Sequence, residues 1–134
     1  MKISKKSQYA LRGLFRLGES EGYLSMKEVA EKEKISADYL EKIFTQLEKE
    51  DFIKSKRGPS GGYQLAKEPS DITLKDILEV LETNFSLVEC IDEGCSRISE
   101  CPVAPTWKKL DQEVKEKLSL ISIKTLLDKN NNDE

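Results

Sequence analysis

Cys90, Cys95 and Cys101 are the only cysteines in the 134 residues, with four residues between the first two and five between the last two. An odd number in one short window, with no secretion signal, argues against a disulfide framework and for metal or redox chemistry. Thiolate sulfur is a soft ligand for iron or zinc, and an unligated thiolate reacts with oxidants. Zinc normally takes four ligands, and its paired sites usually space their cysteines more closely. Asp92, Glu93, Arg97 and Glu100 make the segment too polar for three thiols packed in a core. Gly94 permits a sharp turn just before Cys95. There is no histidine, which excludes a histidine-dependent triad, histidine-ligated zinc and an imidazole base. Neither a paired acid/base constellation nor a nucleotide-binding loop is present, so no enzyme is expected.

A second group of residues carries charge. Lys56-Arg57-Gly58-Pro59-Ser60-Gly61-Gly62 is basic and rich in glycine and proline, a composition for tight turns that bring a backbone close to another surface. The net charge is −3, yet residues 1–67 hold 14 Lys and Arg against 10 Asp and Glu, while residues 68–134 hold 8 against 15. The basic surface is therefore at the amino-terminal end, and local charge decides whether a face attracts phosphate. Arg57 suits a narrow, electronegative minor groove.

The elements that must position these groups follow from periodicity and caps. Ser4 caps a first helix carrying Leu11, Leu14, Phe15 and Gly18. Ser25 and Glu28 are spaced as a capping box for a short second helix reaching about Lys34. After Ile35-Ser36, a third helix places Tyr39, Leu40, Ile43, Phe44 and Leu47 on a buried stripe. Two helices joined so tightly make a helix-turn-helix. Residues 52–55 and 63–66 read as strands around the basic loop, which makes that hairpin a wing. Thr73 starts another helix, residues 84–104 are aperiodic, and a long helix runs from Pro105 to Ser119. Its Trp107, Leu110, Val114 and Leu118, with Ile121 beyond, are spaced as a helix–helix seam. Packing within one subunit is the alternative for that seam. Ile123, Leu126 and Leu127 are expected to pack back on the body, and residues 128–134 to be a disordered tail.

Ser36-Ala37-Asp38-Tyr39-Leu40-Glu41-Lys42-Ile43-Phe44 and the Arg57-Gly58-Pro59-Ser60-Gly61-Gly62-Tyr63 wing resemble the IscR/NsrR family of winged-helix regulators. Met1-Lys2-Ile3-Ser4 and Tyr9-Ala10-Leu11-Arg12 fit as well, so the resemblance reaches to about Leu127. It implies a homodimer that reads palindromic, double-stranded promoter DNA. It also implies an iron–sulfur cluster, 2Fe–2S or 4Fe–4S, on Cys90, Cys95 and Cys101. Ser36, Asp38, Tyr39, Glu41 and Lys42 would lie at the groove-facing start of the recognition helix. Glu41 matches a base-reading glutamate, and a carboxylate accepts from cytosine N4. Arg57, Gly58 and Pro59 would form the wing contact. The family's histidine after the third cysteine is missing. Gln8 stands where some members use an aspartate from the partner's first helix, so the fourth ligand is Gln8, a carboxylate such as Asp92, or an exogenous molecule.

The expected fold is mainly α: a winged helix-turn-helix with a two-stranded wing and a long C-terminal dimerisation helix. Residues 1–68 form the DNA-binding region, and residues 69–127 the linker helix, cysteine segment and dimerisation helix. No segment is apolar enough to span a membrane, and the expected compartment is the cytoplasm. The expected function is a dimeric transcription regulator controlled by a cluster that senses redox state, iron–sulfur status or nitric oxide. A cluster-free thiol-sensing regulator remains open, as does a redox or metal-handling protein whose winged helix mediates protein contacts.

Overall fold

The computed structural model describes residues 1–92, 97 and 99–132. Helix α1, Lys5–Glu19, starts where the Ser4 hydroxyl accepts the Ser7 N–H, satisfying a donor that every helix start leaves unpaired. Its inner face carries Ala10, Leu14 and Leu17. Gly13 lies on that face, and a Cβ there would stand 2.4 Å from the Phe44 ring. Glycine is what lets α1 lie this close to Phe44.

Helix α2, Met26–Glu33, is capped by Ser25, whose hydroxyl accepts the Glu28 N–H at 3.1 Å. The Glu28 carboxylate returns to the Ser25 hydroxyl, where the spacing predicted its amide. The complete reciprocal box is found instead at Thr73 and Asp76. Lys34 ends α2 in the left-handed region with φ 57°, and only two more residues lead into α3, Ala37–Lys49. Leu40, Ile43, Phe44 and Leu47 are buried on α3 as expected. Tyr39 is not: on the first turn of α3 it is 39% exposed, its ring standing perpendicular to that of Tyr9 with centroids 5.9 Å apart.

Strands β1, Ile53–Lys56, and β2, Gly62–Leu65, pair antiparallel with Ile53 opposite Leu65 and Lys56 opposite Gly62. The first begins one residue later than predicted, since the Phe52 amide still bonds Leu47 at the end of α3. Leu24 adds a bridge to Tyr63 through bonds of 2.9 and 2.8 Å. Gly62, at φ 141°, permits this, because a Cβ would stand 2.4 Å from the Leu24 carbonyl oxygen.

A single turn at Pro69–Asp71 leads to α4, Leu74–Leu81, which buries Ile77, Leu78 and Leu81. One helical turn, α5, Glu89–Asp92, falls inside the stretch predicted to be aperiodic. Then come α6, Ala104–Ser119, and α7, Ile123–Asn132. Ile123 is fully buried, and Leu126 and Leu127 pack against the core as expected. The tail expected to be disordered from Asp128 instead continues α7 to Asn132. Asn130 donates to the Leu126 carbonyl at 2.8 Å, and Lys124 faces Asp128 at 3.7 Å. One core joins the winged helix to the C-terminal half, since Ile72, Ile77, Leu81 and Ile123 pack with Leu14, Leu40, Phe44 and Ile53. The order is that of a winged helix-turn-helix, mainly helical with a two-stranded sheet. Among the described residues no helix is long and apolar enough to cross a membrane.

Candidate nucleic-acid interface and cysteine segment

The start of α3 is a polar edge on an apolar helix. Ser36, Asp38, Tyr39, Glu41 and Lys42 are all exposed, while Leu40 and Ile43 between them anchor the helix. Ser36 holds the first turn by accepting the Tyr39 N–H at 3.4 Å. The wing tip is equally open: Arg57, Gly58 and Pro59 are exposed, and the Gly61 N–H closes the loop on the Gly58 carbonyl at 3.0 Å. Tyr63 at the wing's base packs its ring edge-on against Phe44, with centroids 5.7 Å apart, fixing hairpin against helix. Burial raises the Tyr63 phenol above its ordinary value, and the negative charges of Glu48 and Glu41 raise it further.

Behind this edge lies a network with no counterpart in the sequence reading. Arg12 Nε meets Glu33 Oε1 at 2.7 Å, and Arg16 Nε meets Glu33 Oε2 at 2.5 Å. Arg12 also donates to the Glu33 carbonyl, one of the last of α2, at 2.6 Å. Its guanidinium lies 5.5 Å from the Tyr9 ring centroid, and Tyr9 meets Tyr39 edge-on at 5.9 Å. Burial pushes the Glu33 carboxyl up, but the bonds from Arg12 and Arg16 outweigh it and hold the group below its ordinary range. Tyr9, Arg12 and Arg16 recur at helical spacing on α1, which is the one local signal of a shared face. Their partner on α2 is not visible from spacing.

Cys90 lies on α5 and Cys101 just ahead of α6, both half-buried and both free thiols. The Cys101 carbonyl accepts the Ala104 N–H at the opening of α6. Cys95 and the side chain of Asp92 lie outside the described residues. Among the described residues no three Cys, Asp or Glu side chains converge on a metal site. The donor set still fits iron: its two described thiols sit at either end of one segment, outside the hydrophobic core, with soft sulfur and no competing imidazole. Gln8 is exposed on α1, and its amide donates to the Ile3 carbonyl at 3.1 Å.

The chain entering this segment is tied on two sides. The Glu82 carboxylate accepts the Ser4 N–H at 2.8 Å and the Ser7 hydroxyl at 2.7 Å, joining it to α1. Burial raises this carboxyl, and the Ser4 and Ser7 bonds bring it below its ordinary value. Farther on, the buried Asp111 of α6 accepts the Leu87 N–H at 2.8 Å and pairs with Lys115 at 2.9 Å. Lys115 also reaches Ser86 Oγ at 3.2 Å and lies over the Phe85 ring. Helix α6 thus turns Ala104 and Asp111 inward. Of its larger apolar residues, Trp107 and Leu110 are 37% and 40% exposed and Val114 and Leu118 are half-buried, as is Ile121 just beyond its end.

Residues 3–129 match the model of the Rrf2 family, described as iron-dependent transcriptional regulators. The chain belongs to the Rrf2 family. The transcriptional regulator IscR of Photorhabdus laumondii is 31% identical over 95% of this chain and 79% of its own length. The solved structure of T. potens IscR shares 32% identity with a TM-score of 0.75, covering 97% of this chain and 88% of that one. CymR, the global cysteine regulator of B. subtilis, shares 34% identity with a TM-score of 0.79, covering 96% of this chain and 97% of that one. The protein is accordingly an Rrf2 transcriptional regulator with the winged helix-turn-helix of its relatives, which are regulators and not enzymes.

Proposed function

We propose that this Rrf2 protein is a homodimer that binds palindromic promoter DNA under the control of an iron–sulfur cluster held by Cys90, Cys95 and Cys101. The observation that carries the reading is the position of the cysteine segment. It is preceded by a stretch bonded through Glu82 to α1 of the winged helix and through Leu87 to Asp111 of α6. Residues 1–68 read the DNA, and residues 69–127 sense and dimerise. Ser36, Asp38, Tyr39, Glu41 and Lys42 meet base edges and backbone from the start of α3. Arg57, Gly58 and Pro59 bring the wing against the neighbouring groove.

A bound cluster supplies an iron centre reactive toward oxidants and nitric oxide. The rest of the work belongs to the chain. Cys90, Cys95 and Cys101 would hold the cluster through their thiolates, and Gln8 of the partner, Asp92 or an exogenous molecule would complete the ligand set. Asp111 and Lys115 link the stretch before the cysteines to α6, whose Trp107, Leu110, Val114 and Leu118, with Ile121 just beyond, form the dimer seam. The spacing of two recognition helices, about one helical turn of DNA apart, then follows from the seam. Control requires the DNA-competent and incompetent conformations to differ in cluster affinity, since equal affinity shifts nothing.

The resemblance to CymR favours a second reading in which the same thiols sense oxidants without a cluster. Anaerobic purification separates the two. The cluster reading expects iron, sulfide and a visible absorption band, all lost together in each single Cys→Ala variant. It also expects loaded and cluster-free protein to differ in affinity for the protein's own promoter. Stoichiometric zinc, or promoter binding that responds to oxidants in protein without iron, would overturn it. A full cluster in all three single variants would overturn the ligand assignment.

A further inference from the structure

The turn between α2 and α3 is only Lys34, Ile35 and Ser36, and Lys34 holds a left-handed conformation that a lysine adopts at some cost. Helix α1 grips the chain on both sides of this turn. On the α2 side, Arg12 binds both the carboxylate and the carbonyl of Glu33, and Arg16 takes the other carboxylate oxygen. On the α3 side, Tyr9 presses edge-on against Tyr39. Arg12 links the two grips, because its guanidinium lies over the Tyr9 ring.

The pair of arginines is poorly suited to a second task. Arg12 is closed on Glu33 and Arg16 is shared between Glu33 and Glu19, so two carboxylates already face the two guanidinium charges before any phosphate arrives. Tyr39 has the opposite character: its backbone caps onto Ser36, yet its side chain is 39% exposed and touches α1 through one ring edge. Tyr9 is an aromatic neighbour placed to orient such a side chain.

We propose that Tyr9, Arg12 and Glu33 are positioning residues that set the angle between α2 and α3 and aim Tyr39 at the bases of duplex DNA. The proposal rests on the reading of α3 as the recognition helix. The brace acts on selectivity: it makes no phosphate contact, so it leaves the counterion-dependent part of binding unchanged.

The test uses the full chain and two probes: the duplex that wild-type protein selects best from a randomised pool, and a shuffled duplex of the same composition. Tyr9→Leu keeps apolar bulk but removes the ring edge, and it lowers the preference for the selected duplex by about tenfold; Arg12→Gln lowers it by about threefold. Both keep the wild-type salt dependence and the wild-type affinity for the shuffled duplex. Tyr9→Phe, which restores the ring, restores the preference. Wild-type preference in Tyr9→Leu and Arg12→Gln, alongside its loss in Tyr39→Ala, overturns the brace and leaves the reading of α3 standing. Wild-type preference in Tyr39→Ala overturns both. Should Tyr9→Leu fail to fold, Arg12→Gln decides alone, since that side chain is 47% exposed and its removal opens no core.

Discussion

Arg57 differs from Arg12 and Arg16 in what surrounds its charge. The two helical arginines are closed on Glu33, whereas Arg57 stands on an exposed loop beside the exposed Lys54 and Lys56. A cation in the open displaces a condensed counterion when it meets a phosphate, and one already paired does not. Arg57→Ala is therefore expected to weaken promoter binding and to flatten the dependence of log affinity on log salt by about one unit. Circular dichroism should be unchanged, since nothing in the core touches the wing tip. Wild-type affinity and slope across a salt series would remove the wing from the interface. At this scale the sequence was informative wherever a residue's setting is stated by its own neighbours, as with the basic glycine-rich loop, which stands exposed between two paired strands. It was silent on Glu33, because an ordinary helical glutamate becomes a clamp only when folding brings α1 beside it.

Elements show the same division between local and long-range causes. Ser4, Ser25, Ser36 and Thr73 cap α1, α2, α3 and α4 through bonds spanning three residues, so each helix start is legible from a short window. The boundaries that shifted depend on backbone bonds and packing that residue type alone does not announce. Phe52 is kept from β1 by its bond to Leu47, α7 outlasts its apolar residues, and Tyr39 leaves the buried stripe where the core ends. Close approach of helices is also hidden, since a glycine in a helix looks like a weak point until its neighbour is known. Gly13 separates the two possibilities. Were it merely a weak point, Gly13→Ala would stabilise the protein by about 1 kcal/mol through helix propensity. The added Cβ instead falls 2.4 Å from a fully buried Phe44 ring. Gly13→Ala is thus expected to destabilise by about 1–3 kcal/mol, the usual cost of overpacking. A fall in Tm by thermal unfolding supports the close contact, and a rise would refute it.

For the whole molecule, the decisive feature is which way α6 presents its two faces. Its inward side includes Asp111, a buried carboxylate that needs the Leu87 N–H and Lys115 to be tolerated there. Apolar residues on it and at its two ends lie toward the surface: Trp107 and Leu110, with the flanking Val103 and Leu120, are exposed, and Val114 is half-buried. A helix that packed only within its own subunit would turn these apolar residues inward and the carboxylate outward. The inversion is accounted for if a second copy covers the outer face, which makes the seam read from spacing a contact between subunits. Leu118 and Ile121 then lie at its inner margin. Val114→Asp places a carboxylate in the middle of that seam, where removal from water is unfavourable without a partner. Sedimentation of the variant should show monomer, and binding to a palindromic duplex should fall toward that of a single half-site. Trp107 is the only tryptophan in the chain, so its emission reports the same event. It is 37% exposed in the single chain and would be covered by a second copy on this face, so the variant's spectrum should shift to longer wavelength. A Val114→Asp protein that sediments as a dimer with unshifted Trp107 emission would move the interface off α6.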